Sequence, residues 1–187
     1  GELLVRALDE RPPFAEQDEI TMAEELAVRE VPGWEGILQT QLDRTQNPDR
    51  KARFAFVMPA LSADPRVREA SFERFRSVDN RRREPWVQEC LLYLNHPLRA
   101  EHGRRFITPA LQLLREVQQT GDIFFPTRWM ENTLWGHRSP DAAADVRERR
   151  ADLGGHVRER VEVHPGRQPD RAGQTGLAGV VQAPVPV

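Results

Sequence analysis

Apolar residues recur at helical spacing through most of this chain. Trp34, Ile37, Leu38 and Leu42 form one set, Phe54, Val57, Met58 and Leu61 a second, and Ile107, Leu111, Leu114 and Val117 a third. Each set falls on one stripe of a helix with 3.6 residues per turn, the face such a helix turns toward a core. No run shows the convincing period-two alternation of a half-buried strand. The pattern therefore predicts an all-α fold from about Glu16 to Arg149.

Polar punctuation divides this stretch. Asn47-Pro48, Asp64-Pro65, Glu84-Pro85, Thr108-Pro109 and Ser139-Pro140 each place a side-chain acceptor before a proline. Proline is tolerated at the first helical position, where its missing N–H has no intrahelical partner, and the residue before it can cap an amide further in. Glu84 is the weakest cap of the five. Gly33, Gly121 and Gly136 read as stops or corners, where a left-handed backbone costs glycine little. About eight helices follow: 16–30, 34–45, 48–60, 65–77, 85–95, 107–120, 126–136 and 139–149. Links this short join antiparallel neighbours, so the expected architecture is a stack of antiparallel helical hairpins, a HEAT-like superhelix.

Beyond Arg149 the pattern stops. The last 38 residues hold no Phe, Trp, Tyr, Ile, Met or Cys and half of the 12 glycines, so they have little to bury. This low-complexity tail, 150–187, reads either as a natural flexible tail or as the product of a shifted reading frame in GC-rich DNA. The second reading draws on the basic residues, 26 Arg against the single Lys51.

Charge and composition narrow the function. With 187 residues, 39% of them hydrophobic, the chain can bury a sizeable core. Its net charge of −2 mixes both signs along the sequence, which argues against a nucleic-acid partner. No apolar run approaches the ~20 residues of a bilayer-spanning helix, so no membrane partner is expected. The start, Gly1-Glu2-Leu3-Leu4-Val5, lacks initiator methionine and signal-peptide pattern. It reads as the interior of a longer polypeptide, which leaves cytoplasm slightly ahead of periplasm.

Candidate chemistry is sparse. His96, His102, His137, His156 and His164 form no i, i+4 pair around a glutamate, and Cys90 has no second cysteine, so this chain alone is expected to bind no zinc. Cys90, inside an apolar run, reads as a buried thiol acting as a small hydrophobe. His96 reads as a capping or surface residue and His137 as a corner residue bonding free carbonyls. The run Asn80-Arg81-Arg82-Arg83-Glu84 reads as a solvated loop. The most distinctive segment, Gly121 to Trp129, reads as an inter-helix corner in which Phe124, Phe125 and Trp129 plug a core. Its functional alternative puts Arg128 and Trp129 on a concave surface against a peptide carboxylate.

Four segments look familiar. Phe54-Ala55-Phe56-Val57-Met58-Pro59-Ala60-Leu61-Ser62-Ala63-Asp64-Pro65-Arg66-Val67-Arg68 is the first, and Glu84-Pro85-Trp86-Val87 through Tyr93-Leu94-Asn95-His96-Pro97-Leu98-Arg99 the second. Gly121-Asp122-Ile123-Phe124-Phe125-Pro126 with Arg128-Trp129 is the third, and Gly136-His137-Arg138-Ser139-Pro140-Asp141 through Arg147 the fourth. In this order they resemble the carboxy-terminal helical domain of bacterial M1 (aminopeptidase N-like) zinc aminopeptidases, over about residues 14 to 148. The resemblance implies a lead-in at 1–15 from a preceding domain and the helical domain at 16–149. It also implies a parent enzyme that removes N-terminal residues from peptides with zinc held by a HExxH helix. That motif is absent here, so no catalytic or metal-binding residue can be assigned and the isolated chain should be inactive. The implied partners are the catalytic domain of the same polypeptide and, through it, peptide substrates. Arg128, His137 and Arg138 are the candidate substrate-channel contacts. A stand-alone helical-repeat module that binds a protein partner is the competing expectation.

Overall fold

The computed structural model describes residues 14–149, and among these every regular element is helical. α1 (Glu16–Val28) and α2 (Trp34–Arg44) form an antiparallel pair, followed by α3 (Pro48–Val57), α4 (Pro65–Glu73) and the short α5 (Val78–Arg81). Then come α6 (Glu84–Leu94), the single turn α7 (Ala100–Gly103), α8 (Ile107–Thr120) and α9 (Phe125–Leu134), with a last helix, α10, over 140–149. The all-α expectation holds. The segments 1–13 and 150–187, and what the sequence leads one to expect of them, lie outside the described residues.

Local chemistry sets most of the boundaries. Asn47 accepts from the amides of Asp49 and Arg50, both at 3.0 Å, and Asp64 accepts from Arg66 N at 2.8 Å, each with proline opening the helix. Ser139 Oγ accepts from Ala142 N at 3.1 Å and starts the last helix the same way. Thr108 and Glu84 do not cap. α8 opens at Ile107 with no side-chain cap, and Glu84 instead accepts Asp122 N from across the fold at 2.9 Å. The cap that the dipeptide rule passes over is Asp122, whose Oδ1 accepts Phe124 N at 2.7 Å and Phe125 N at 2.9 Å to open α9.

Two predicted helices are shorter than their apolar stripe. Pro59 cannot donate an i→i−4 bond, and the chain tightens into a 3₁₀ turn over Met58–Leu61 instead of continuing to 60 as an α-helix. The 65–77 helix likewise ends at Glu73 and passes into a 3₁₀ turn, Arg74–Arg76. Further 3₁₀ turns, Pro97–Arg99 and Arg104–Phe106, flank α7 in a stretch for which no helix is predicted.

The glycine corners divide by cause. Gly33 has φ +82° and takes the left-handed role expected of it. Gly121 and Gly136 do not. Their need is space: a Cβ on Gly136 would lie 1.9 Å from Asn95 O, and one on Gly121 2.5 Å from the Phe125 ring.

One apolar cluster runs from Ile20 in α1 to Trp129 in α9. At its centre Phe72 stacks on Phe106 with centroids 5.1 Å apart, and Trp129 meets Phe75 and Phe125 edge-on at 6.3 and 5.9 Å. The indole N–H of Trp129 donates to Ala110 O at 3.1 Å, so the largest core side chain carries no unpaired polar atom. Helix 140–149 adds Ala142 and Val146 over Ile107 and Leu111. Contacts also join elements far apart in sequence, as where Tyr93 OH donates to Glu24 at 3.0 Å.

Candidate functional site

The structure separates Arg128 from the other two candidate contact residues, His137 and Arg138. Arg128 sits in the first turn of α9, exposed, with its guanidinium 3.2 Å from Glu131 on the same helix. His137 and Arg138 lie beyond the other end of α9, a helix of 10 residues and so about 15 Å long. Arg138 is exposed, whereas His137 is half-buried, its Nε2 2.9 Å from Asn95 Oδ1. Asn95 is itself fully buried and donates from its side chain to Leu91 O. The partner of His137 is thus a side-chain amide rather than the free carbonyls expected. Burial holds the imidazole below the ordinary histidine range. His96 is a cap, its Nδ1 accepting Leu98 N at 3.2 Å.

The distinctive corner is split. Phe125 and Trp129 are buried as expected, but Phe124 is 71% exposed and Ile123 84%, so Phe124 does not plug the core. Phe125, Trp129 and Thr133 are four apart and share the inner face of α9, while Phe124 is one residue out of phase. Cys90 is buried with its thiol pushed up to about 12 by desolvation, a small core residue and no nucleophile at neutral pH.

Charged side chains in the interior are the feature that sequence reasoning passed over. Arg81 was expected in a solvated loop, yet it is buried, donating to the carbonyls of Phe75 and Arg76 and pairing with Glu116. Its neighbours Arg82 and Arg83 are the solvated ones, Arg83 lying 4.1 Å above the Trp86 ring. Between α1, α3 and α6, Arg53 faces two carboxylates: Glu89, and Glu24 at 3.3 Å. Glu24 is 1% exposed, and burial raises its carboxyl to about 7 against the pull of Arg53 and Tyr93.

A second cluster lines an open groove of about 480 Å³, formed by Glu30 at the end of α1, Arg68 of α4, and residues 98–105. Arg68 is 4% exposed and donates through Nη1 to Ser62 O at 2.6 Å and Ala63 O at 2.8 Å. Arg99 is 6% exposed and donates to Leu61 O at 2.9 Å and Ala27 O at 3.0 Å, with Glu30 at 3.4 Å. Next to them Glu69 holds Arg105 and lies 3.6 Å from His102 Nε2. Burial lowers the affinity of Arg68, Arg99 and His102 for protons, and the positive charges of Arg68 and Arg105 push His102 the same way. A long basic side chain hides this role in sequence, because only the folded chain shows which arginines lose their water.

Among the described residues no group of three or more His, Cys, Asp or Glu is arranged to hold a metal ion, and no helix is long and apolar enough to cross a membrane. Comparison of the chain with protein-family models, curated proteins and solved structures yields no match.

Proposed function

We propose that this chain is a non-catalytic helical domain of an M1-type zinc aminopeptidase, covering the catalytic domain of the same polypeptide and limiting entry to peptides with a free amino end. One observation carries the reading: the segments that resemble the family form the joints of this fold. Arg99 of the second segment holds Leu61 O of the first. Gly136 and His137 of the fourth close on Asn95 of the second. Asp122 of the third bonds Glu84 of the second. Residues that make such joints specify a framework rather than a reacting centre, which suits a covering domain.

In this reading zinc belongs to the parent enzyme, where a HExxH helix elsewhere in the polypeptide would bind it and activate water. Of the three candidate contacts, Arg128, paired with Glu131, and Arg138 are the exposed cations a peptide would meet, and His137 positions the turn between α9 and the last helix. The experiment is to read the encoding DNA upstream of Gly1 and express the product. An in-frame HExxH with its downstream glutamate, and chelator-sensitive release from aminoacyl chromogenic substrates, is the expected result. A start codon with a terminator directly upstream would overturn the reading.

The side-by-side exposure of Ile123 and Phe124 favours a second one, a stand-alone helical module that binds a protein partner through that corner.

A further inference from the structure

We propose that the outer face of α1 is a docking surface for the segment Leu3–Leu8 of the same chain, which folds back on it as the antiparallel partner of a helical hairpin. The inference goes beyond the aminopeptidase reading and holds whatever the parent protein does.

Its first basis is the face itself. α1 buries Ile20, Ala23, Glu24, Ala27 and Val28 in the core, and its Glu19 meets Gln41 at 3.5 Å and Arg44 at 3.6 Å on α2. Met22 and Leu26, one turn apart, stay 42% and 39% exposed and lie outside the core cluster. Two such residues alone would be ordinary surface, so the occupant has to come from a second observation.

That observation is the chain directly ahead. With 3.6 residues per turn, Leu3, Leu4, Ala7 and Leu8 share one face, and Glu2, Arg6, Asp9 and Glu10 share the opposite one. A segment this short cannot hold a helix alone in water and needs an apolar surface to lie on.

Pro12-Pro13 then sets the direction. Each proline biases the residue before it away from the helix, so Arg11 and Pro12 end the segment, and Ala15 is extended, with φ −61° and ψ 144°. A link from Arg11 to Ala15 has the length that joins antiparallel neighbours. The reach agrees. As a helix, Leu4 lies about 12 Å back from Pro12, while Met22 and Leu26 lie about 9 and 15 Å along α1 from Glu16. A second copy of the chain would have to compete with a segment tethered a few residues away, whose effective concentration is on the order of millimolar.

Cysteine pairing in the full chain is the test. L4C with M22C should form an intrachain disulfide on mild oxidation about tenfold faster than L4C with I123C, whose second position lies on the exposed corner before α9. Native Cys90 does not compete, being buried with its thiol pKa pushed up to about 12. As a second readout, L4A and M22A should each lower the urea midpoint, and the double variant should fall no further than the larger single change. Equal oxidation rates in the two pairs would overturn the proposal. So would a disulfide formed between chains, which would make the cover a second copy, or additive midpoint shifts in the double variant.

Discussion

Where α4, α9 and the turns at 74–76 and 104–106 meet, the core is filled by rings: Phe72, Phe75, Phe106, Phe125 and Trp129. Where α1, α3 and α6 meet, Glu24, Arg53, Glu89 and Tyr93 take the equivalent place. The aromatic centre gains by removing apolar area from water, and its strength should hardly depend on pH. The ionic centre has two carboxylates for one guanidinium, with Arg53 Nη1 buried and unbonded, so its strength depends on which protons are present. One fold thus contains a centre that responds to lost volume and another that responds to proton activity.

The largest expected effect tests the aromatic side. Trp129→Ala should cost about 3–5 kcal/mol in chemical denaturation, as should Phe125→Ala, since each leaves a cavity in a packed core. A loss under about 1 kcal/mol for both would mean that the rings do not organise this centre.

The next effect tests the ionic side. Glu24 titrates at about 7 in the folded chain against an ordinary 4.5. Below about pH 4.5 both states hold the proton; between there and about pH 7 the unfolded chain releases it first and gains stability. Folding should therefore weaken by up to about 3 kcal/mol across that interval, and Glu24→Gln should flatten the profile. Denaturation at both ends of the interval measures it, and equal slopes in wild type and E24Q would remove the distinction between the two centres. Asp122 and Asp145 act in the opposite sense, since backbone amides and Arg104 hold their carboxyls below the usual range. The stability they supply is lost only at more acid pH.

Two smaller effects sharpen the comparison. Asn47→Ala, outside both centres, should cost about 1 kcal/mol by freeing the amides of Asp49 and Arg50. Phe124→Ala should change the midpoint by no more than about 0.5 kcal/mol, because the ring touches solvent. A larger loss there would place Phe124 in the aromatic centre after all.

Helix boundaries were legible because their causes are local. Asn47, Asp64 and Ser139 act on amides two or three residues away, and Pro48, Pro65 and Pro140 sit beside them. The outward turn of Phe124 was readable from phase alone, since Phe125, Trp129 and Thr133 already form an i, i+4, i+8 row that excludes it. Burial of Arg68, Arg81 and Arg99 was not readable. Their acceptors include carbonyls freed where a helix tightens or ends, such as Leu61 O, 38 residues from Arg99, and no pattern within one helix announces them. The groove escaped notice for the same reason, being assembled from three separate stretches of chain.

The two hydrogen bonds that Arg99 donates, to Ala27 O and Leu61 O, span 72 and 38 residues. On a ribosome, α1 to α4 emerge well before the side chain that ties off the end of α1 and the turn after α3. Until Arg99 leaves the exit tunnel those carbonyls lack this donor, and Tyr93, which donates to Glu24, arrives only six residues earlier. The first half of the molecule therefore lacks these long-range bonds until residue 99 has cleared the tunnel, however early its helices form.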